Sequence, residues 1–294
     1  TVSIILIAYK MRDQLRNTLL TLYPDYQRNC SMRDYEVIVV ENSSSENLDQ
    51  ATIDSLPANI HYFLREEESQ SPVPSINFAF EQCRGECIGM IMDGARMLSP
   101  GVIEHAMLAH NTTPNAVTVM PGYHLGDQEQ HLHGSAADAL AEERRLLDSV
   151  DWREDGYELF SISTFSGANR RGYLHPILEC NCLFASRDNF RKIGDADSRF
   201  MQPGGGSVNL HMYRSLGMLT GSELFVVPGE GSFHQFHGGV STSSYDGRDE
   251  ELARHLKQLK SYWPDGFHAL RREPKLLGQI PPQAYRFLQE SLQR

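Results

Sequence analysis

The sequence predicts an α/β fold in which a mostly parallel β-sheet is flanked by helices. Three observations lead to this prediction. Apolar runs rich in Val and Ile alternate with segments of helical spacing over residues 1–110. Parallel neighbours in a sheet need a crossover helix, and the alternating order places one between successive strands. The apolar runs also end in polar residues, which a parallel sheet gathers at the edge where such folds bind their ligands.

The elements of residues 1–110 follow this order. Strands are predicted from apolar and β-branched runs, and helices from apolar residues three or four positions apart. The predicted strands are Val2–Ala8, Glu36–Val40, Ile60–Leu64 and the apolar run that starts at Gly85 and leads into Asp93. The predicted helices are Asp13–Leu22, Leu48–Ser55, Ser75–Cys83 and Leu98–His110.

The rest of the chain is predicted to hold an insertion, a second αβ portion and a helical tail. The insertion, residues 121–175, contains a predicted helix at Ala136–Ser149 and four aromatic residues that either stack on a ligand or belong to the core: Trp152, Tyr157, Phe160 and Phe165. The αβ portion is predicted as strand Cys182–Ser186, helices Arg187–Ile193 and Val208–Leu216, and strand Leu224–Val227. The proline-broken tail, residues 248–294, is expected to pack back on the same domain.

Composition and charge exclude several classes of function. A formal net charge of −11 argues against binding along a nucleic-acid backbone, so no nucleic-acid partner is expected. No apolar run approaches the roughly 20 residues of a transmembrane segment, and we expect a cytoplasmic protein, with peripheral attachment to a membrane left open. The five cysteines show no C-x-x-C pairing, which favours free thiols over disulfides or a zinc site. Since the sequence begins directly at its first strand, membership of a larger multidomain protein is left open.

Asp93 is the most informative single residue. It is an acid that a buried apolar run delivers into a glycine turn at Gly94, and the carboxyl end of such a strand lies at the mouth of a sheet rather than in the core. The alternative is an Asp that merely caps the helix predicted at Leu98–His110. Asp93 is therefore the first candidate for chemistry.

Two other strand ends carry candidate ligand-binding residues. Ala8 and Tyr9 end the first strand, and Glu41, Asn42 and Ser43 follow the second. Together they would present small, aromatic and hydrogen-bonding groups to one crevice, as a nucleotide base and ribose require. Taken alone, the Asn-Ser-Ser-Ser run is also a common turn.

An ordered set of these segments resembles the family 2 glycosyltransferases of GT-A fold. The segments are Val2–Lys10 (VSIILIAYK), Tyr35–Ser44 (YEVIVVENSS), Gly85–Asp93 with Pro100, and Cys182–Asp197, and they span about 240 residues in the family's order. A further segment, Ser232–Thr242, is similar to the glycine-containing loop that follows the last core strand in this family, with His237 at the position of the family's histidine.

The resemblance implies a GT-A-like fold and the transfer of a sugar from a nucleotide-diphosphate donor. Residues 1–120 would form the nucleotide-sugar-binding half, residues 121–247 the acceptor-binding half with its insertion, and residues 248–294 the tail of one integrated domain. The implied donor contacts are Ala8, Tyr9, Glu41, Asn42, Ser43, Asp93 and Gly94. Asp93 and His237 would bind a divalent metal, Mn²⁺ or Mg²⁺, which stabilises the departing diphosphate. The implied acceptor is a glycan or lipid-linked saccharide, the outcome is inversion, and the setting is polysaccharide biosynthesis.

The sequence departs from the family pattern in two places. Ala95 stands where the family usually has its second acid. The stretch Pro203–His211 lacks the family's acidic pair, one member of which usually serves as the base that deprotonates the acceptor hydroxyl. Glu179 and His211 are the candidate bases in their place, because either type of side chain can accept the acceptor proton. Glu179 has the alternative of a structural ion pair with Arg187 or Arg191. The run of glycines 204–206 before a helix is either a phosphate-binding loop or an acceptor lid.

These departures leave rival functions open. One is a module that binds a nucleotide sugar and has lost catalysis. A sugar nucleotidyltransferase is another, ranked lower because no basic glycine-rich loop for a triphosphate follows Tyr9.

Overall fold

The computed structural model describes residues 1–128, 135–178, 180–205, 207–237, 248–263, 268 and 270–293. The larger of its two sheets consists of β1 (Val2–Ala8), β2 (Tyr35–Asn42), β3 (Ile60–Arg65), β4 (Cys87–Ile91), β6 (Ala116–Val119), β9 (Cys182–Ser186), β10 (Glu223–Val226) and β12 (Lys275–Leu276). Their order across the sheet is β12-β10-β6-β9-β4-β1-β2-β3. Neighbours are parallel except around β9, which is antiparallel to both β4 and β6. The predicted mostly parallel sheet is confirmed.

Helices cover both faces of this sheet. They are α1 (Arg12–Leu20), α2 (Gln50–Asp54), α3 (Val73–Gln82), α4 (Val102–Thr112), α5 (Ala136–Asp148), α6 (Arg187–Ile193), α7 (Val208–Met218), α8 (Arg248–Tyr262) and α9 (Tyr285–Gln293). Side chains alternate along β1, so Ile5 and Ile7 join one apolar core while Ile4 and Leu6 join a second core beneath α1. Because both faces are buried, β1 from Ile4 to Ala8 and β2 from Val37 to Val40 are continuous apolar runs, which is why the sequence identifies them.

A second, smaller sheet lies beyond the carboxyl end of β4. It contains β5 (Arg96–Leu98), β7 (Gly122–Leu125), β8 (Ser163–Phe165) and β11 (Ser232–His234) in the order β5-β11-β7-β8. One face packs on aromatic rings: Tyr123 lies 5.2 Å from Phe165 and 5.3 Å from Phe233, and Phe287 of α9 contacts Tyr123 at 4.7 Å between ring centroids. This packing fixes the sheet next to the end of β4.

The small sheet corrects part of the sequence-based prediction. The helix predicted at Leu98–His110 begins only at Val102, because residues 96–98 pair with β11 as a strand. Its N-cap is Gly101, which makes no side-chain capping bond, so Asp93 does not cap this helix. Of the four aromatic residues of the insertion, Trp152, Phe160 and Phe165 are buried and Tyr157 packs against the same core, which supports the core alternative.

The tail contributes α8, α9 and the short edge strand β12, and Phe287 of α9 is fully buried in the main core. The division of the chain into a donor-binding part, an acceptor-binding part and a tail, with boundaries at residues 120 and 247, stays a prediction. Within the described part of the chain, none of the helices combines the length and the apolar character that crossing a bilayer requires.

Candidate functional site

A cavity of about 1000 Å³ opens at the carboxyl ends of β1, β2 and β4. Its lining comes from these strand ends, from the segment 67–72, from one row of the small sheet, and from α7 and α8. Its polar lining residues include Tyr9, Asn42, Ser43, Glu67, Glu68, Asp93, Arg96, His124, Asn181, His234, His237 and His255. The position agrees with the rule that open α/β sheets bind ligands beyond the carboxyl ends of their strands.

Asp93 lies at the floor of this cavity because β4 ends at Ile91 and the chain turns at Gly94. A Cβ at Gly94 would lie 2.9 Å from the Ala8 Cβ and 3.0 Å from the Met11 sulfur, so only glycine fits beneath β1 and α1. The Asp93 carboxylate is held on both oxygens: Oδ1 accepts from the Ala95 N–H at 3.0 Å, and Oδ2 accepts from Arg96 Nε at 2.9 Å. The carboxylate is therefore oriented before any ligand binds.

Ala95 faces away from the cavity. Its side chain is fully buried in the apolar core beneath α1, together with Ala8, Met11 and Leu15. A carboxylate at this position would point into that core rather than toward Asp93. The backbone conformation therefore accounts for the small apolar residue at the position where the sequence pattern leads one to expect a second acid.

Strand register in the small sheet places three basic side chains in one row. Arg96 of β5 pairs with His234 of β11, and His234 pairs with His124 of β7. Residues directly opposite each other in neighbouring strands point to the same face, and all three line the cavity. The His124 and His234 rings meet edge to face at 5.4 Å between centroids.

Asp93, His234 and His237 form a compact cluster whose candidate ligand atoms all lie within 4.8 Å of one another. His234 Nε2 lies 3.1 Å from His237 Nε2 and 3.7 Å from Asp93 Oδ2. Burial, followed by the positive charge of Arg96, holds the pKa of His234 well below its usual range, and burial also lowers the pKa of His237. Both rings are therefore neutral near pH 7, the state in which imidazole binds metal.

The donor set of this cluster fits a divalent ion. Two imidazole nitrogens and one carboxylate suit first-row divalent metals, including Mn²⁺. Neighbouring ligands at right angles around an ion, with bonds of about 2.1 Å, lie about 3 Å apart, close to the separation of the two histidine nitrogens. Asp93 and His237 are thus brought together as the sequence predicted, and His234 joins them.

Buried hydrogen bonds fix the segment that carries the two histidines. The Gln235 side chain donates to the Gln14 carbonyl and the Thr18 hydroxyl of α1, at 3.0 and 3.1 Å. On the other side, the Glu143 carboxylate of α5 accepts from the Phe236 N–H at 2.5 Å. Helices α1 and α5 therefore hold the segment that carries His234 and His237.

The predicted donor-binding residues divide into two groups. Tyr9 is half-exposed over the cavity, beside Lys10, whose φ of 53° turns the chain sharply at the end of β1. Ala8, Asn42 and Ser43 also line the cavity. Gly94 is instead a packing residue in the turn below Asp93.

Glu41 takes part in the structural support of this edge. It is fully buried, and its Oε2 accepts from the Tyr62 hydroxyl at 2.6 Å and from the Leu48 N–H at 3.0 Å. Next to it, Asn42 Oδ1 accepts from the Ser75 hydroxyl at 2.5 Å. The carboxylate of Glu41 therefore orders the loop after β2, and its role as a donor contact stays a prediction.

The far wall of the cavity comes from α7, α8 and the loops before them. Pro203, Gly204 and Leu210 contribute to it, as does Leu256 of α8. The His211 ring lies within an aromatic cluster, 5.2 Å from Phe200 and 5.3 Å from Tyr262, and the wall at this point is formed by its neighbours Asn209 and Leu210.

Of the candidate bases, Glu179 lies outside the described residues, and so does Gly206 of the glycine run. The residues on both sides of Glu179 are described. The Leu178 N–H donates to the carbonyl of Ala168, which lines the cavity, and Asn181 lines it as well.

Sequence reasoning missed Arg96, His124 and His234 as members of the site. The signal for His234 was present, since it stands three residues before His237 in the same motif. Arg96 and His124 join it only through strand pairing between segments far apart in sequence, and no local pattern reports such pairing.

Comparison with known proteins agrees with this architecture. Residues 3–193 match the sequence profile of Glycosyl transferase family 2. Among curated protein sequences, none is similar enough to this chain to count as a match.

Two solved structures share the fold. One is the mannosyltransferase PcManGT from Pyrobaculum calidifontis in complex with GDP-Man and Mn²⁺, with a TM-score of 0.54 and 14% identity, covering 98% of this chain and 68% of that one. The other is S. aureus TarS, with a TM-score of 0.50 and 11% identity. That match covers 99% of this chain but only 43% of TarS.

Proposed function

The chain belongs to glycosyl transferase family 2, and on this premise we propose that it transfers a sugar from a nucleotide-diphosphate donor to a hydroxyl of a glycan or lipid-linked saccharide, with inversion. The observation that carries the proposal is the cluster of Asp93, His234 and His237 at the floor of a cavity large enough for a nucleotide sugar. The biological setting we propose is polysaccharide biosynthesis.

The donor occupies the half of the cavity bounded by β1, β2 and β4. Tyr9 offers an exposed ring on which a nucleobase can stack, and Asn42 and Ser43 offer hydrogen bonds to base or ribose. The diphosphate then lies toward Asp93 and the small sheet. A solved structure of similar fold holds GDP-Man and Mn²⁺, which supports a donor and a metal of this chemical kind.

Asp93, His234 and His237 would hold the divalent ion, Mn²⁺ or Mg²⁺. When bound, the ion neutralises negative charge that develops on the departing diphosphate. The chain's own part is preorganisation: the Ala95 N–H orients the Asp93 carboxylate, and burial keeps both imidazoles neutral. Little rearrangement of the site is then needed when donor binds.

The acceptor enters along the wall formed by α7 and α8, where Val208, Leu210, Leu256 and Leu259 give an apolar surface on which a sugar face or lipid-linked group can lie. The reaction needs a group that takes the proton of the attacking hydroxyl. Glu179 is our proposed base. The preceding residue, Leu178, is hydrogen-bonded to Ala168 of the cavity lining, and Asn181, two residues after Glu179, lines the cavity itself. His211 is the second candidate.

A thermal-shift screen tests donor binding. UDP-, GDP-, dTDP- and ADP-linked sugars would each be added with Mn²⁺, and a donor present at a hundred times its Kd stabilises the fold by roughly 2.7 kcal/mol through mass action. The expected result is a raised Tm with one nucleotide series. If no nucleotide sugar raises Tm in either Mn²⁺ or Mg²⁺, the proposal is wrong.

Product analysis separates the transferase from a binding module that has lost catalysis. The donor found by the screen would be incubated with saccharide acceptors, and release of the nucleoside diphosphate and the anomeric form of the product would be followed by NMR. Transfer with inverted configuration is expected. Tight donor binding without hydrolysis or transfer on any acceptor would favour the binding module instead.

A further inference from the structure

Arg96 is a buried cation at the wall of the donor cavity. Its side chain is only 9% exposed, yet it contributes to the cavity lining. Its Nε donates to Asp93 Oδ2 at 2.9 Å. Among the described residues, its two terminal nitrogens make no hydrogen bond, which leaves the outer fork of the guanidinium available to a ligand.

Burying a guanidinium is costly unless its donors are used, so this position calls for an anion. Asp93 supplies one carboxylate, and the neighbours in the row, His124 and His234, carry no negative charge. A phosphate group offers two oxygens that can accept hydrogen bonds from the free edge of the planar guanidinium at the same time. The cavity wall that Arg96 occupies is the one against which the donor diphosphate is proposed to lie.

The residues next to Asp93 also change the charge of the site. A site with two carboxylates would cancel the charge of a divalent ion and leave the diphosphate unneutralised. Here Ala95 adds no charge and Arg96 adds a positive one. The positive charge of Arg96 thus offsets Asp93, and the full charge of a bound ion remains for the diphosphate.

We propose that Arg96 binds the donor diphosphate directly through its terminal nitrogens, so that part of the affinity for the diphosphate does not depend on metal. This inference rests on the proposed function, because it places the same diphosphate against Arg96. It also assigns Arg96 a second effect: as a cation bonded to Asp93, it competes with a divalent ion for that carboxylate. Removing Arg96 therefore weakens metal-free binding of the diphosphate and strengthens binding of the metal alone.

Calorimetry on the whole chain tests both effects. GDP, UDP, dTDP and ADP would be titrated in EDTA and in Mn²⁺, MnCl₂ would be titrated alone, and the matching nucleosides would serve as probes without phosphate. The variants are Arg96→Met, which keeps most of the apolar stem, and Arg96→Lys, which keeps the charge but loses the fork. Arg191→Met, at a 64% exposed position on α6, is the matched control.

The expected result is opposite changes for the two ligands. In EDTA, Arg96→Met should bind the preferred nucleoside diphosphate about tenfold or more weakly than the native chain, with Arg96→Lys in between and the nucleoside unaffected. Mn²⁺ alone should bind Arg96→Met more tightly, and Arg191→Met should behave as the native chain.

Two results would overturn the inference while leaving the proposed function intact. One is native affinity of Arg96→Met for the diphosphate in EDTA. The other is parallel weakening of diphosphate, nucleoside and Mn²⁺, which would mark a purely structural role. A native chain that binds none of these four diphosphates in any condition would instead contradict the proposed function, and this inference with it.

Discussion

The Nε2 atoms of His234 and His237 lie 3.1 Å apart, directly above the carboxylate of Asp93. His234 ends a strand of the small sheet and His237 follows it by three residues, so a short turn folds one imidazole toward the other. Two neutral rings this close either share one proton in a hydrogen bond or bind the same ion, and we expect them to bind the same ion.

Removing either histidine should weaken metal binding. His234→Ala and His237→Ala each delete one ligand nitrogen, and we expect Mn²⁺ affinity to fall by about tenfold or more for each. Calorimetric titration with MnCl₂ measures this, with metal-free melting curves to verify folding. His61→Ala, on β3 outside the cavity, is the control. Equal Mn²⁺ affinity in all three variants and the native chain would contradict the assignment of His234 and His237 as metal ligands.

An acid introduced at position 95 should not improve metal binding. Ala95→Asp would place a carboxylate in the apolar core beneath α1 rather than in the cavity, so we expect a loss of stability on the order of 3 kcal/mol or more and no gain in Mn²⁺ affinity. Urea unfolding measures the stability. Ala51→Asp, at an exposed position of α2, should change it by less than about 0.5 kcal/mol. Tighter Mn²⁺ binding by Ala95→Asp would contradict the orientation described for this side chain.

Stability should fall as the pH rises from about 4.5 to about 8 because of Glu143. Burial raises the pKa of this carboxyl to about 8 from 4.5, against the opposing effect of the Phe236 N–H bond. Between these values the folded chain keeps a proton that the unfolded chain loses. The stabilisation is therefore complete below about pH 4.5 and is lost as the pH rises through 8.

The matching variant is Glu143→Gln, which keeps an acceptor for the Phe236 N–H and cannot ionise. Its Tm should exceed that of the native chain by roughly 5 °C at pH 9 and match it at pH 5. Glu142→Gln, on the exposed face of α5, should show no such pH-dependent difference. The same Tm difference at both pH values would rule out this account of Glu143.

Loss of the proposed base should act on turnover rather than on donor binding. Glu179→Gln is expected to lower kcat by about a hundredfold or more while leaving the KM for donor nearly unchanged. Steady-state kinetics at saturating acceptor measures both. His211→Gln should have the smaller effect, since its ring packs against Phe200 and Tyr262. Native kcat in Glu179→Gln would exclude Glu179 as the base.

The sequence predicted the parts of the fold that carry a continuous local signal. Val2–Ala8 and Cys182–Ser186 were predicted with the bounds that the structure has, because a strand buried on both faces is mostly apolar. Asp93 was found for a related reason, as the first acid after such a strand. His237 was found through the resemblance to a family rather than through any local pattern.

The small sheet was not predictable in the same way. Its strands are three or four residues long, too short for a periodic pattern, and β5 lies between the strand predicted to end at Asp93 and the helix predicted to begin at Leu98. Its pairing joins Arg96 to His234 across almost half of the chain, so the row that completes the site exists only after folding. Similarly, the sequence showed that Ala95 replaces an acid but not that its side chain faces the core.

Turnover of a nucleotide sugar by the native chain and by Asp93→Asn tests the central claim most directly. The substitution keeps the shape of the side chain and removes the charge that Arg96 and the two histidines surround. Release of nucleoside diphosphate in Mn²⁺ would be measured beside Asp188→Asn, an exposed control on α6. We predict native rates in the control and a loss of at least about a hundredfold in Asp93→Asn. Equal rates in all three proteins would contradict the assignment of this cavity as the donor site.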